Sequence, residues 1–422
     1  MSIDPRKIAY DLLVDWEKKK TFPNLALKNA LREVPDQRDR RFITALVYGV
    51  VERKITLDHF LDQCLERKNI GIPVRSILRM GLYQMYYMEV PPSAACNTSV
   101  ELIKARGMIH QSGFVNAVLR RCDRERDTLL KLKRADFSVR YSMDPQLVKL
   151  LLEQYGKETF VAMLEGMKTP DTAIYLFHNR KRGSETAFLN RMEGEGISLE
   201  KTALCHLFKA TVGFSPESSD AFREGWYHIV GHHSAEAALL LQKDAEGILD
   251  LCAAPGGKTF ILAALTDRKV CSFDLHPHKV QLLAKEAARL GHHNIEISQN
   301  DGTVLMKERI NMADFVLCDV PCSGLGMMAK KPDIKYKHYE SSDFTSVQYA
   351  ILKNGAAYLR TGGRLVYSTC TVDRRENEQL VDRFLQEHSQ FTKDVSVLDQ
   401  GEKLYLPTGG GDGFYIAVLK KD

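Results

Sequence analysis

Residues 247–258 read Gly-Ile-Leu-Asp-Leu-Cys-Ala-Ala-Pro-Gly-Gly-Lys, and their pattern decides the fold. The apolar run Ile248 to Leu251, with Asp250 inside it, predicts a buried strand. Small residues from Ala253 to Gly257 then turn the chain tightly. Helix-compatible residues follow from Thr259 to Leu265. Strand, glycine turn and helix start together form the nucleotide-binding corner of an open α/β sheet. Glycines there let the backbone approach a ligand where a side chain would clash.

Three nucleotide readings compete for this corner. Gly257-Lys258-Thr259 resembles the end of a phosphate-binding Walker loop, but Cys252 stands where that loop needs its first glycine. A dinucleotide fingerprint needs three spaced glycines, and this turn has the adjacent pair Gly256 and Gly257. The reading left is an adenosyl ligand without a phosphate tail, S-adenosylmethionine. A tight turn with no ligand is the plainer alternative. On the adenosyl reading the cofactor is held by Cys252, Ala253, Ala254, Pro255, Gly256, Gly257 and Lys258. Asp274, Asp301 and Asp319 join them from the ends of later strands.

Around this corner, from about residue 231, strand and helix patterns alternate regularly. Strands are predicted at 248–252, 270–274, 294–298, 314–319 and 364–368. Helices are predicted at about 258–265, 278–290, 344–359 and 375–387. Such alternation implies a parallel sheet with helices on both faces and right-handed crossovers. Phe391 to Val397 and Phe414 to Lys420 suggest a closing antiparallel pair.

The chain ahead of it divides in two. Residues 1–130 read as all-helical, beginning at the Asp4-Pro5 cap. Residues 131–230 read as a small α+β connecting domain. It opens with an amphipathic helix from Asp144-Pro145 to about Met167. Strands follow at Ala173–Phe177 and Trp226–Val230, with a helix at Thr186–Gly194 between them. Residues 231–422 are the α/β domain. Two basic clusters mark the front domain. One is Arg38, Arg40, Arg41, Arg53 and Lys54; the other is Arg120, Arg121, Arg124, Arg126, Lys131, Lys133 and Arg134. A solvated helix face competes with a phosphate-tracking surface here, because Asp36, Glu52 and Glu125 interrupt both clusters.

Composition sets bounds on class. With 422 residues, two or three domains are expected. No apolar run is long enough to span a membrane. Met1-Ser-Ile-Asp-Pro lacks a basic-then-apolar signal segment, so a cytoplasmic protein is expected. The nine cysteines are scattered without Cys-x-x-Cys pairs, which argues for a reducing compartment and against a disulfide framework or a zinc site. The pairs His232/His233 and His292/His293 show no ligand spacing, so no metal is expected and a surface or capping role is assigned. A net charge of +5 permits nucleic-acid binding without demanding it.

Ligands of such sheets bind at the carboxyl ends of the strands. Asp274 ends the second strand, where a carboxylate suits ribose hydroxyls. Asp301 follows the third and suits an adenine amino group. The fourth runs into Asp319-Val-Pro-Cys-Ser-Gly324 and the fifth into Tyr367-Ser-Thr-Cys370. Neighbouring strands lie roughly 5 Å apart. If these two are adjacent, Cys322 and Cys370 meet over the crevice. Cys318, inside its strand, reads as a small buried hydrophobe. Lys258, Lys330 and Lys331 are expected to lower a thiol pKa nearby.

These motifs carry a resemblance. Leu251-Cys-Ala-Ala-Pro-Gly-Gly-Lys258, Asp319-Val-Pro-Cys-Ser-Gly-Leu-Gly326, Lys331-Pro-Asp333 and Tyr367-Ser-Thr-Cys-Thr371 resemble the Sun-type RNA cytosine-C5 methyltransferases. The front domain is similar to the NusB-like RNA-binding helical domain. Asn24-Leu-Ala-Leu27, Val47-Tyr-Gly49, Arg79-Met-Gly-Leu-Tyr-Gln84 and Gly113-Phe-Val-Asn-Ala-Val-Leu-Arg120 carry that likeness. Together they imply a multidomain chain: an all-α NusB-like domain, an α+β connector and a Rossmann-like S-adenosylmethionine-dependent domain. The expected activity is cytosine-C5 methylation of 16S ribosomal RNA, naked or in an early assembly intermediate, by a monomer.

The resemblance also assigns roles. Cys370 is the nucleophile that adds to C6 of cytosine, Cys322 assists release, and Asp319 serves N3 and N4 of the base. RNA contacts fall to Arg120, Arg121, Arg124, Lys330 and Lys331. Position alone does not rank the thiols, since the analogous DNA enzymes use the Pro-Cys thiol. The chain departs from the family at His232-His233, where a Gln-Asp or similar pair is common, and at Ile174-Tyr-Leu-Phe-His178, where an arginine-containing strand is common. Two rivals remain. One is an RNA-binding assembly factor with a degenerate catalytic domain, opposed by intact Asp319, Cys322 and Cys370. The other is a nucleotide hydrolase, opposed by Cys252.

Overall fold

The computed structural model describes residues 4–19, 23–66, 68–132, 136–210, 214–336 and 344–422. The chain forms two compact units. The first is Met1–Lys157 with Lys330–Tyr339; the second is Glu158–Ala329 with Glu340–Asp422. Among the described residues no helix is long and apolar enough to cross a membrane.

The first unit is helical, as its periodicity predicts. Its principal helices are Pro5–Lys19, Pro23–Arg32, Gln37–Glu52, Lys54–Cys64, Ile72–Tyr87, Pro92–Ala105 and Ser112–Arg124. The cap at Asp4 forms: its Oδ1 accepts from the Arg6 N–H at 3.0 Å. Asp36 caps the third helix by accepting from the N–H groups of Arg38 and Asp39. Leu46, Val50, Phe60, Ile77, Leu78 and Leu119 build the shared core. A Cβ at Gly49 would lie 1.8 Å from the Tyr83 ring, so glycine is what allows helices 37–52 and 72–87 to touch. Arg79, 3% exposed, is fixed by Asp58 at 2.7 Å and Glu17 at 2.5 Å.

Residues 330–336 belong to this helical unit, although the chain reaches them from strand-rich sequence. Ile334 is buried, and the Tyr336 ring meets Trp16 edge-on at 6.0 Å. The Tyr336 hydroxyl donates to the Glu52 carbonyl at 2.9 Å, and the Asp144 N–H donates to the Lys335 carbonyl at 2.9 Å.

The second unit holds two sheets. Four antiparallel strands form the smaller: β1 (Ile174–His178), β2 (Leu199–Lys201), β3 (Leu207–Ala210) and β4 (Tyr227–Ile229), in the order β2-β3-β1-β4. β1 and β4 match the sequence reading, whereas β2 and β3 escape it. They are three and four residues long, too short for alternation to show.

The larger sheet contains β5 (Ile248–Asp250), β6 (Val270–Asp274), β7 (Ile295–Gln299), β8 (Ala313–Asp319), β9 (Leu359–Thr369), β10 (Phe391–Lys393), β11 (Glu402–Tyr405) and β12 (Phe414–Lys421). Its order is β10-β12-β9-β8-β5-β6-β7, with β11 paired to β12. Pairs from β7 to β9 are parallel; β12 runs antiparallel to β9 and β10. The closing pair is therefore present, though its first strand stops at Lys393. The last long helix starts at Glu378, not 375, because residues 373–377 form a hydrogen-bonded turn.

β8 and β9 are adjacent, with Asp319 opposite Ser368. Because β12 is antiparallel, Tyr415 stands opposite Thr369, which brings Phe414 to the same sheet edge. β5 is wholly buried, and so is almost every residue of the following helix, Gly257–Leu265. A buried parallel strand needs no polar alternation, which explains the apolar residues Ile248, Leu249 and Leu251 on both sides of Asp250.

Candidate active site

The turn after β5 is tied to its neighbours by backbone. Leu251 N–H donates to Leu317 O at 3.0 Å, and Ala253 N–H to Phe273 O at 2.8 Å. Gly256 has φ +113°, and a Cβ there would lie 2.3 Å from the Phe260 ring. Only glycine suits both demands. Pro255 follows a cis peptide bond. Asp274 is buried at the end of β6. It accepts from the N–H groups of Ala254 at 3.3 Å and His276 at 3.0 Å. Asp301 accepts from the Thr303 N–H and hydroxyl, which hold its carboxyl below the usual range. One of its oxygens is thus a loop cap as well as a candidate adenine acceptor.

This donor set fits an adenosyl group with a sulfonium better than a phosphate. Asp274 and Asp301 offer acceptors, and the turn's lysine is already committed. Lys258 Nζ lies 2.6 Å from Asp319 Oδ2 and 3.1 Å from Ser234 Oγ. Its ammonium also sits 5.3 Å from the centre of the Phe414 ring. Asp319 Oδ1 accepts from the Ser368 hydroxyl at 2.8 Å. The Asp319 carboxylate is therefore held from both sides at the carboxyl end of β8.

Cys322 and Cys370 come together. Their sulfurs are 3.3 Å apart, and both residues are partly exposed, while Cys318 is fully buried. The loops that carry them are bound to each other. Ser323 Oγ lies 2.7 Å from Thr371 Oγ1, and the Gly326 N–H donates to the Cys370 carbonyl at 3.0 Å. The expected thiol activation is corrected for Cys322. Its hydrogen bond to Cys370 and its burial push the Cys322 thiol well up, not down. Of the lysines, Lys258 is occupied by Asp319, and Lys330 and Lys331 fall in the first unit. Cys252 is likewise pushed up by burial, so it is no reactive thiol.

Asp250 lies beneath the turn. Burial raises its carboxyl to about 7, against the Thr259 hydroxyl that donates to it at 2.7 Å. A carboxyl raised in the folded state keeps its proton between about pH 4 and 7 while the unfolded chain loses it. Stability attributable to Asp250 is therefore unaffected below pH 4, falls as pH rises to 7, and is level above. Urea unfolding at pH 5 and pH 7 should show the parent losing about 2–3 kcal/mol more than Asp250→Asn. Equal losses in both proteins would refute this.

The histidine expectation is also corrected. His232 and His233 open the helix His232–Ala238 but do not cap it. His233 stacks on Tyr405 at 3.7 Å. Glu236, missed as their partner, places a carboxylate oxygen within 4.8 Å of both imidazoles. That carboxylate already accepts from the Tyr405 hydroxyl and faces Lys403 at 3.7 Å.

The basic residues assigned to RNA lie in the first unit. Arg120 and Arg124 are exposed on the helix Ser112–Arg124. Arg121 instead pairs with Glu125 at 2.9 Å and donates to the Cys64 carbonyl. Lys133 and Arg134 lie outside the described residues. Sequence reasoning missed Ser234, Ser323, Gln348, Ser368 and Glu376, all hydrogen-bonded within the site. Of these, the polar run from Thr369 to Asn377 directly after a buried strand was the available signal.

An acidic crevice beside paired thiols, on a parallel sheet closed by an antiparallel strand, marks a Rossmann-like methyltransferase domain behind a NusB-like helical domain. Residues 237–420 match the family described as 16S rRNA methyltransferase RsmB/F, and residues 3–124 match the NusB family. The chain is 34% identical to the probable ribosomal RNA small subunit methyltransferase B of Bacillus subtilis (strain 168), over 99% of this chain and 98% of that one. It is 33% identical to the like-named protein of Synechocystis, over 99% and 100%. It belongs to the ribosomal RNA small subunit methyltransferase B family. The PH0851 crystal structure shares the fold over the full length of both chains, with a TM-score of 0.76 at 20% identity. NSun6 from Pyrococcus horikoshii, solved with SFG, shares it over 66% of this chain and 98% of that one, with a TM-score of 0.59 at 19% identity.

Proposed function

We propose that this protein methylates C5 of a cytidine in 16S ribosomal RNA through a covalent adduct between Cys370 and C6. The observation that carries the reading is the 3.3 Å approach of Cys322 to Cys370, beside an Asp319 carboxylate held by Lys258 and Ser368. S-adenosylmethionine, when bound, supplies an electrophilic methyl group. The turn from Cys252 to Lys258 with Asp274 and Asp301 would hold its adenosyl part.

Cytosine C5 is a weak nucleophile. Addition of the Cys370 thiolate to C6 forms a carbon–sulfur bond and breaks the C5–C6 double bond, which makes C5 enamine-like and able to take the methyl. The Asp319 carboxylate accepts a hydrogen bond from the N4 amino group as charge builds on the ring. The C5 proton must then leave before the Cys370 thiolate is expelled and the double bond re-forms. Cys322 is placed for that proton. The hydrogen bond to Cys370 that keeps Cys322 protonated is lost once Cys370 becomes a thioether. Cys322 then gives its own thiol proton to water and, as the thiolate, takes the C5 proton. The target base leaves its stack to reach the crevice. Arg120, Arg124, Lys330 and Lys331 are the candidate RNA contacts, with Arg121 partly engaged by Glu125.

Mapping 5-methylcytosine in 16S ribosomal RNA, with and without this protein, tests the activity. One site should appear with the protein and vanish without it; an unchanged map would reject the reading. The cofactor assignment has its own test. Calorimetry should detect S-adenosylhomocysteine but not ATP, and Asp274→Ala should weaken binding by about 1–3 kcal/mol through the lost acceptor. Equal affinity for ATP would exclude the adenosyl pocket.

A further inference from the structure

Glu376 lies six positions beyond Cys370 and is 3% exposed. Its Oε2 accepts from the Ser323 N–H at 3.0 Å and from Gln348 Nε2 at 2.7 Å. Gln348 is fully buried, and the same Nε2 donates to the Pro321 carbonyl at 2.9 Å. The residues on either side of Cys322 are thus gripped through their backbones, one by Gln348 and one by Glu376. The far end of the clamp is fixed as well. Tyr367 donates its hydroxyl to the Glu376 carbonyl at 2.7 Å, and Asn377 bridges Thr369 and Thr371.

A buried carboxylate costs several kcal/mol unless it is compensated. Among the described residues no ion pair involves Glu376; its neighbour Arg375 is bound to Asp373. Burial pushes its carboxyl up. Glu376 and Gln348 both end on the backbone that flanks Cys322, so what they fix is where its sulfur stands.

We propose that Glu376, seated by Gln348, is the positioning residue for Cys322, setting where that sulfur stands when the C5 proton of the adduct is removed. The proposal rests on the release role given to Cys322 above. It places Glu376 and Gln348 after methyl transfer in the reaction, not before it. A misplacement of about 1 Å can cost on the order of 100-fold in a reacting group's step. Loss of the clamp should therefore slow release while addition of Cys370 and transfer of the methyl proceed.

The test uses the full chain with S-adenosylmethionine and 16S ribosomal RNA, comparing the parent, Cys322→Ala, Glu376→Leu and Gln348→Met. Unchanged S-adenosylhomocysteine affinity reports an intact fold; should Glu376→Leu fail it, Gln348→Met decides. Both clamp variants should keep a first turnover within about threefold of the parent and lose on the order of 10- to 100-fold in steady-state kcat with little change in KM. Both should also accumulate a denaturation-resistant protein–RNA band on ordinary RNA, as Cys322→Ala does. A merely structural role would slow both phases together and leave no band. A band from Cys322→Ala but from neither clamp variant overturns the clamp alone. No band from Cys322→Ala, with its first turnover intact, overturns the release role and the proposal with it.

Discussion

Cys370→Ala is expected to abolish methylation and to form no covalent complex with RNA, even with 5-fluorocytidine at the target position. The loss should be on the order of 10⁴-fold or more, as for removal of other covalent nucleophiles. Cys322→Ala is expected to behave differently, turning over poorly yet accumulating a denaturation-resistant adduct on ordinary RNA. The two thiols, 3.3 Å apart, cannot be ranked by distance. We rank them by the Tyr367-Ser-Thr-Cys370 motif, whose likeness to the Sun-type enzymes assigns attack to Cys370 and leaves release to Cys322. A gel with the adduct in Cys370→Ala and none in Cys322→Ala would reverse the assignment. If neither variant nor the parent forms an adduct on fluorinated RNA, the covalent mechanism falls.

The second large effect is at Asp319. Asp319→Ala should lower kcat by on the order of 10³-fold, through the lost hydrogen bond to the reacting ring. It should also destabilise the fold, since Lys258, whose side chain is 9% exposed, keeps only Ser234 as a polar partner. Breaking a buried pair costs about 3–5 kcal/mol; with the Asp319 side chain 32% exposed, about 1–3 kcal/mol is expected. Adding Lys258→Met should recover much of that stability and none of the rate. Recovery of rate in the double variant would show that Asp319 serves only to neutralise Lys258.

The parts that could be read from sequence share one property: they depend on short-range patterns. Ile248–Asp250, the Gly256 turn and the helix after it are contiguous, so periodicity and glycine placement reveal them. The meeting of Cys322 and Cys370 followed from one further step, the adjacency of two parallel strands whose ends both carry a thiol. What escaped depends on partners distant in the chain. Glu236 became visible only when Tyr405 and His233 were seen against it. Lys258 looked like a thiol activator until Asp319 was found to occupy it. Gln348 sits in the middle of an amphipathic helix and carries no mark of its contact with Pro321. The strands β2 and β3 were too short to signal themselves.

The Pro332–Tyr336 segment gives the chain an unusual itinerary. It crosses between the units after residue 157, again after 329 and again after 339. The two units are therefore not beads on a string, and no single cut separates them. A fragment beginning at residue 158 would carry Ile334 and Tyr336 away from Trp16 and Glu52. It would expose apolar surface, and it would do so twelve residues from Cys322. Recombination faces the same obstacle: a helical unit borrowed from another protein must accommodate residues 330–336 to be a viable replacement. Exchange of the front domain alone should yield aggregation-prone chimeras, so the two halves are expected to have been inherited together.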